Sequence, residues 1–431
     1  MSTPNPTPHP PLRPPRAEAV TACRSCGGAL SLELVDLGAQ PLANGYLTEA
    51  ALARPEPRYP LRAVVCDDCR LVQLDHGVPP AMLFSDYAYL SSTSSSWLAH
   101  AQRFAEAAIP RFGLGPESLV VEVASNDGYL LRHFGERGVP VLGIEPAANV
   151  AATARALGIP TEVRFFDRAC AEALRAEGRR ADLLVANNVL AHVPDINGFV
   201  AGLSRLLAPE GRLSLEFPHL LRLLEQVQFD TIYHEHVFYY SLLSAERLLA
   251  RHGLTVIDVE QLPTHGGSLR LWAGHRDVSV DAVMPAVAEL RAEEAAAGLA
   301  GTAVYRAFAD AVPALIESLL AVLREARGQG QRIVGLGAAA KGNVLLNAAA
   351  IGPALIDCLL DASPTKQGRF APGSRLPILP PERLTELRPD LVVILPWNLE
   401  AELIAKHRAV FDWGGRFLVP IPAPRLVRAP A

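Results

Sequence analysis

Between Ser118 and Pro218 the chain alternates short apolar runs with helical stretches, and this alternation constrains the fold more than any other feature. "SLVVEVA" gives way to "YLLRHFGERG", "VPVLGIEP" to "AANVAATARALG" and "IPTEVRFF" to "RACAEALRAEG". "ADLLVANNVL" gives way to "INGFVAGLSRLLAPEG", and "GRLSLEFP" closes the series. Strands that alternate with helices form a parallel, doubly wound sheet. An Ala/Leu/Glu-rich helical region over about Val278–Arg327 follows. A second alternation then begins, with "QRIVGLGAAAKG", "LIDCLLDASP" and "PDLVVILPWN" as strands around a glycine-rich turn. The fold class expected is α/β, with two Rossmann-like units flanking a helical segment.

A different pattern precedes the first unit. Four of the six cysteines form Cys23-x-x-Cys26 and Cys66-x-x-Cys69. Each turn points two thiolates at one place, and two turns complete a tetrahedral sulfur site suited to zinc. The quartet leaves no open coordination position, so the metal is expected to be structural. Residues 27–65 between the pairs are too many for a simple zinc ribbon, and "LSLELVDLG" and "YPLRAVV" predict strands there. The competing reading, two disulfides or a redox dithiol, fits poorly with the expected cytoplasmic location. That location rests on Met1–Arg16, rich in Pro, Ser and Thr without the apolar stretch of a secretory signal, and on the lack of a run long enough to span a membrane. The net charge of −5 argues against a nucleic-acid partner. The expected domains are a Pro-rich tail (1–20), a zinc-binding β module (21–80), a Rossmann-like α/β domain (81–275) and a C-terminal helical and α/β domain (276–431). Oligomeric state is not legible.

In an open α/β sheet, ligands bind at the carboxyl ends of the strands. The first strand ends in Glu122-Val-Ala124-Ser-Asn126-Asp127-Gly128, and the second in Gly143-Ile-Glu145. A small-residue turn admits a ligand to the backbone, and an acid closing the second strand accepts from ribose hydroxyls. NAD and S-adenosylmethionine both satisfy this. The turn lacks the G-x-G-x-x-G that brings backbone to a pyrophosphate. Asp127 would repel a pyrophosphate but tolerates the cationic end of S-adenosylmethionine, which is the cofactor expected. Class I methyltransferases carry E-x-G-x-G-x-G here; Ala124 and Asn126 replace the first two glycines and Gly128 is kept. Asn187 and Asn188, after the fourth strand, are placed at the same edge.

The densest acid/base cluster is Tyr233-His234-Glu235-His236-Val-Phe-Tyr239-Tyr240-Ser241. Histidine titrates near neutrality and is the commonest general base. His234 and His236 are two apart and cannot share a helical face, so this is not the H-E-x-x-H metal motif. "ANNVLAHVPD", with His192, and "SDYAYLSSTSSSW", with Tyr87 and Tyr89, add further candidates.

Taken in order, the Cys quartet, "QPLANGYL", "DYAYLSSTS", "EVASNDGYLL", "GIEPAANVA", "NNVLAHVPD", "DTIYHEHVFYYS", "HGGSLR", "GLGAAAKGN" and "LPWN" resemble the nucleotide-sugar C-methyltransferases of deoxysugar biosynthesis, the C-3 methyltransferases of the tetronitrose and kijanose type. The resemblance covers nearly the whole chain after residue 20. It implies that His236 is the base that removes a proton beside a keto group, and that Tyr233, Glu235, His192 and Tyr87 are its active-site neighbours. It also implies a structural zinc remote from the chemistry.

Three of the chain's 40 basic residues are Lys, namely Lys341, Lys366 and Lys406. Lys341, with Asn343, lies in the glycine-rich turn of the second unit, and Lys366 follows its next strand. Both lysines are candidates for a substrate pyrophosphate, unless that unit only shapes the cleft. His265 and Arg270 of "HGGSLR" are candidates to line the same cleft. The alternative functions are an NAD-dependent nucleotide-sugar oxidoreductase or epimerase, which lacks here a Tyr-x-x-x-Lys pair, and a zinc-bearing binding module.

Overall fold

A computed structural model describes residues 18–79, 82–83, 90–93, 95–277 and 283–429. Its centre is a seven-stranded sheet whose strands we number in chain order: β1 Val120–Val123, β2 Val141–Ile144, β3 Thr161–Glu162, β4 Ala181–Asn187, β5 Leu207–Pro218, β6 Leu254–Leu262 and β7 Ser268–His275. The spatial order is β6-β7-β5-β4-β1-β2-β3. β1 to β5 run parallel, as the alternation predicts. β7 is antiparallel to both β5 and β6, so the sheet is mixed. The order reverses between β1 and β4, which puts a ligand crevice outside their carboxyl ends.

The strand expected over "IPTEVRFF" is only Thr161–Glu162, because the rest of the run leaves the sheet at its edge and exposes Phe165. The long helical region is two helices, Pro285–Ala296 and Ala303–Gly328, broken at Ala297–Thr302 where Gly298 takes a positive φ. The second helix buries Tyr305, Phe308, Val312, Leu315, Leu319 and Leu323 at helical spacing.

That buried stripe explains how the units are joined. One continuous core runs from Leu34, Leu61 and Val65 of the N-terminal module, through Leu223 and Phe229, to this helix and to Val392 and Phe417 of the C-terminal sheet. Burying one such Leu or Phe contributes about 1.5–3 kcal/mol, so the two end modules hold each other strongly. The C-terminal sheet has the order Ile378–Leu379, Leu359–Leu360, Ile333–Leu336, Leu391–Ile394, Arg416–Val419, Arg425–Val427. All its pairings are parallel except the last.

The N-terminal module forms a four-stranded sheet ordered Phe238–Tyr239, Val72–Leu74, Tyr59–Val65, Leu32–Gln40. Its edge strand belongs to the histidine-rich segment: Phe238 pairs with Gln73 and Tyr239 with Val72. The zinc module therefore clamps the residues that directly follow His236. Among the described residues, no helix is long and apolar enough to cross a membrane.

Candidate active site

The turn after β1 keeps the backbone shape of a glycine-rich loop without two of its glycines. Ala124, Asn126 and Gly128 have φ of 55°, 49° and 79°. Asn tolerates the left-handed region because its short polar side chain bonds locally. Here Asn126 Oδ1 accepts from the Ser91 N–H at 2.9 Å, and its own N–H donates to Glu145 Oε2 at 3.0 Å. At Gly128 a Cβ would meet Ile159 Cγ1 at 3.0 Å, so no larger residue fits without displacing Ile159.

Around this turn lie buried polar atoms with no partner among the described residues: Glu122 Oε2, Ser125 Oγ, Asp127 Oδ1, Asn187 Oδ1 and Asn188 Nδ2. Buried polar groups left unpaired are costly, and five of them at one strand edge mark a place built for a polar ligand. Burial, with Glu145 and Asp127 adding repulsion against the Tyr129 hydroxyl, pushes the Glu122 carboxyl well above its usual range. Burial likewise raises Glu145, opposed by the amides of Ala147 and Asn126. Three crowded acids favour a cation and disfavour a pyrophosphate. This donor and charge set fits S-adenosylmethionine, whose sulfonium and ammonium are both positive.

The histidine-rich segment crosses the same edge. His236 donates Nδ1–H to the Thr231 carbonyl at 3.0 Å, and His192 donates Nδ1–H to the Glu235 carbonyl at 2.7 Å. A carbonyl only accepts, so in each neutral ring Nε2 carries the lone pair. The Tyr233 hydroxyl lies 2.8 Å from His236 Nε2 and donates to it. The rings of His192 and His236 are 4.9 Å apart. Burial holds His192 neutral, with its pKa lowered to about 4. Burial, reinforced by His192, His265 and Lys341, lowers His236 well below the ordinary value. Glu235 is buried, which raises its carboxyl, and its Oε1 accepts from Asn44 Nδ2 at 2.7 Å. The structure thus brings His236, Tyr233, Glu235 and His192 together beside the β1–β4 crevice. Tyr87 lies outside the described residues.

The opposite wall belongs to the C-terminal unit. Trp397 Nε1–H donates to Asp230 Oδ2 at 2.8 Å, next to Thr231. Lys341 Nζ donates to Asn398 Oδ1 at 2.8 Å and lies 4.4 Å from the centre of the Trp397 ring. Lys366 Nζ donates to the Ala338 carbonyl at 2.9 Å, and the Tyr46 hydroxyl donates to the same oxygen. His265 is solvent-accessible, has a left-handed backbone (φ 56°) and sets its ring 5.1 Å from that of Trp97. The packed surroundings and the positive charge of Lys341 lower its pKa.

Two of the expected cleft residues are placed elsewhere. Asn343 is fully buried, and its Nδ2 donates to the Ala43 carbonyl at 2.8 Å, making it a joint between the end modules rather than a cleft residue. Arg270 is 5% exposed and saturated by carboxylates, with Glu216 at 2.7 Å and Glu260 at 3.0 Å. Its guanidinium, which also meets His100 Nε2 at 3.1 Å, is committed to neutralising the buried Glu216. The residues that sequence reasoning passed over are Asn44, Asp230, Trp397 and Asn398. Each stood inside a quoted motif ("QPLANGYL", "DTIYHEHVFYYS", "LPWN"), but none is an acid or base at a strand end, so nothing marked its role.

The four cysteine sulfurs lie within 4.8 Å of one another. Cys23 Sγ is 3.6 Å from Cys69 Sγ, and Cys26 Sγ is 3.3 Å from Cys66 Sγ. A disulfide requires about 2.05 Å, so the quartet is not two disulfides. Tetrahedral zinc with bonds of about 2.3 Å separates its sulfurs by about 3.8 Å, and the quartet fits that ion closely.

Comparison with known proteins agrees with this geometry. A zinc-binding domain model matches residues 23–84, a methyltransferase domain model residues 97–259, and a C-methyltransferase C-terminal domain model residues 263–422. The C-methyltransferase NovU of Streptomyces niveus is 38% identical over 410 residues, covering 95% of this chain and 97% of that protein. Among solved structures, magnesium protoporphyrin IX methyltransferase of Synechocystis PCC 6803 (15% identity, 45% of this chain and 88% of that one, TM-score 0.32) and the CcbJ methyltransferase of Streptomyces caelestis (13%, 40% and 88%, 0.32) are too distant to bear on the chemistry. The chain belongs to the family of S-adenosylmethionine-dependent, zinc-binding C-methyltransferases that includes NovU.

Proposed function

We propose that the chain methylates a carbon beside the keto group of a nucleotide-linked deoxysugar, with His236 as the base. The observation that carries this reading is the fixed tautomer of His236: Nδ1–H is held by Thr231, and the lone pair on Nε2 is turned towards Tyr233 at the cleft.

A saturated sugar carbon is not a nucleophile, but a neighbouring keto group acidifies its proton. His236 Nε2 takes that proton, and the electron pair of the C–H bond delocalises on to the keto oxygen. Tyr233 and His192 are the neighbouring groups able to steady that oxygen through hydrogen bonds. When bound, S-adenosylmethionine supplies an electrophilic methyl group on a sulfonium. Glu122, Ala124, Asn126, Gly128, Glu145, Asn187 and Asn188 are assigned to hold it at the strand edge. Glu235, tied to Asn44 and His192, keeps the catalytic segment in register.

The sugar end is assigned to the cleft beside His265 and Lys341, and the pyrophosphate to the rim at Lys366, where a cation lies 5.2 Å from the Tyr46 ring. The glycine-rich turn itself is a poorer phosphate cradle than its sequence suggests, because the Ala338 N–H already donates to Asp361 Oδ2 at 2.6 Å. The test is a screen of keto-sugar nucleotides for a mass gain of one methyl replacing one hydrogen. His236→Asn should bind S-adenosylhomocysteine like the parent and lose turnover; parental turnover would remove His236 from the base role.

A further inference from the structure

The zinc module reaches the catalytic segment at a second place besides the Phe238–Tyr239 pairing. Its residues 42–47 form a short loop whose turn is closed by the Gly45 N–H on the Leu42 carbonyl at 2.9 Å. Asn44 sits in that turn, and its Nδ2 donates to Glu235 Oε1 at 2.7 Å across 191 positions of chain. Among the described residues, this is the one hydrogen bond that the Glu235 carboxylate receives. Glu235 is buried, and a short bond to an ionised acceptor away from water is the strong, charge-assisted kind. The loop is held on both sides of Asn44. Asn343 Nδ2 donates to the Ala43 carbonyl at 2.8 Å. The Tyr46 hydroxyl donates to the Ala338 carbonyl, and Leu47 and Phe370 exchange backbone hydrogen bonds of 2.9 Å. All three contacts are made by the C-terminal unit. On the receiving side the backbone is fixed as well: His192 donates to the Glu235 carbonyl, and His234 Nε2 donates to the Tyr59 carbonyl at 3.2 Å. The Glu235 backbone is thus anchored by its neighbours, and its side chain by Asn44.

We propose that Asn44 is a positioning residue for Glu235: an amide delivered by the zinc module, and pinned by the C-terminal unit, that holds the buried carboxylate in one orientation next to His236 in the catalytic segment. This rests on the reading of Glu235 as an active-site group of the C-methylation proposed above. Without the amide, a buried carboxylate has no donor, which is unfavourable. It then has two ways out. It rotates towards water, or it takes up a proton, because burial already raises the carboxyl and Asn44 opposes that rise. Either change removes an oriented negative acceptor from the segment that carries His236. The β1 turn is held by other bonds, from Ser91 to Asn126 and from Asn126 to Glu145, so cofactor binding does not depend on Asn44. The zinc module accordingly contributes a side chain to the active site as well as an edge strand beneath it.

The test compares the full-length parent enzyme with Asn44→Ala and Asn44→Asp. Asp keeps the shape of Asn at an exposed position but sets a second carboxylate where the donor was, so it separates the hydrogen bond from the packing of the loop. With the keto-sugar nucleotide that the screen above finds methylated, both variants should lose about tenfold or more in kcat/KM. S-adenosylhomocysteine affinity, measured calorimetrically, should stay parental in both. Crystal structures of the parent and Asn44→Asp should show the Glu235 side chain turned away from its parental orientation in the variant. A residue that merely packs the loop would tolerate Asp. Parental kcat/KM in Asn44→Asp therefore overturns the proposal, and so does a Glu235 carboxylate that stays in place in its crystals. If the parent methylates no keto-sugar nucleotide, the proposed function fails, and the crystal comparison still decides whether Asn44 orients Glu235. Parental turnover in His236→Asn sinks the base assignment alone.

Discussion

Restoring glycine at position 124 should stabilise the protein, and adding a methyl group at position 128 should do the opposite. Ala124 and Gly128 both have a left-handed backbone, at φ 55° and 79°. That region costs an L-residue about 1–2 kcal/mol. Ala124→Gly relieves this strain, partly offset by the greater freedom of glycine in the unfolded chain, for a net gain of about 0.5–1 kcal/mol. Gly128→Ala acquires the strain and also sets a Cβ 3.0 Å from Ile159 Cγ1 and 3.4 Å from Ala154 Cβ. Both neighbours are buried, so Ile159 must give way, and the total loss is about 2–3 kcal/mol. Urea unfolding of both variants measures these changes. S-adenosylhomocysteine titration should show weaker binding for Gly128→Ala, because the displaced turn carries Asn126 and its bond to Glu145. A destabilised Ala124→Gly variant, or a Gly128→Ala variant as stable as the parent, would refute the view that the loop keeps its shape despite the missing glycines.

Two further outcomes follow from the site. Chelating zinc, or replacing Cys66 by Ser, should reduce turnover more than S-adenosylhomocysteine affinity, because the module pairs with Phe238–Tyr239 and not with the β1 turn; equal losses in both, by activity assay and calorimetry, would contradict this. His192, lowered to about 4 from the ordinary 6.5, contributes stability that is complete above 6.5 and lost as pH falls through that window to 4. The share is about 3 kcal/mol, so the unfolding free energy of His192→Asn should depend less on pH than that of the parent between pH 7 and 4, as read by denaturant titration at each pH.

The sequence displays the parallel half of the central sheet plainly, because buried parallel strands are continuous apolar runs such as "SLVVEVA". The antiparallel strands β6 and β7 were legible in principle, as "LTVIDVEQL" and "SLRLWAGH" around "PTHGG". Their acids and arginine hid them: Arg270 is buried against Glu216 and reaches out to the half-exposed Glu260, which breaks the apolar pattern. The Cys quartet announced the zinc module because thiolate spacing is read directly from the chain. That the module borrows its edge strand from Phe238–Tyr239 could not be read, since pairing across such a sequence distance leaves no local mark. The site divides in the same way. His236, Tyr233, Glu235 and His192 drew notice as acid/base chemistry. Asn343 and Arg270 were misplaced because a polar residue near a glycine-rich turn looks the same in sequence whether it faces a ligand or a buried carbonyl. Lys341 is legible as a basic residue, but Asn398 and Trp397, which hold its ammonium, lie more than fifty residues later in the chain.

The central claim is that His236 ionises a carbon acid. Its most direct measurement is hydrogen exchange without methyl transfer: the keto-sugar substrate incubated in D2O with enzyme and S-adenosylhomocysteine, followed by proton NMR at the carbon beside the keto group. The parent enzyme should wash deuterium into that position while His236→Asn, with the same S-adenosylhomocysteine affinity, leaves it protonated. Exchange by the variant at the parental rate would place the base on another residue.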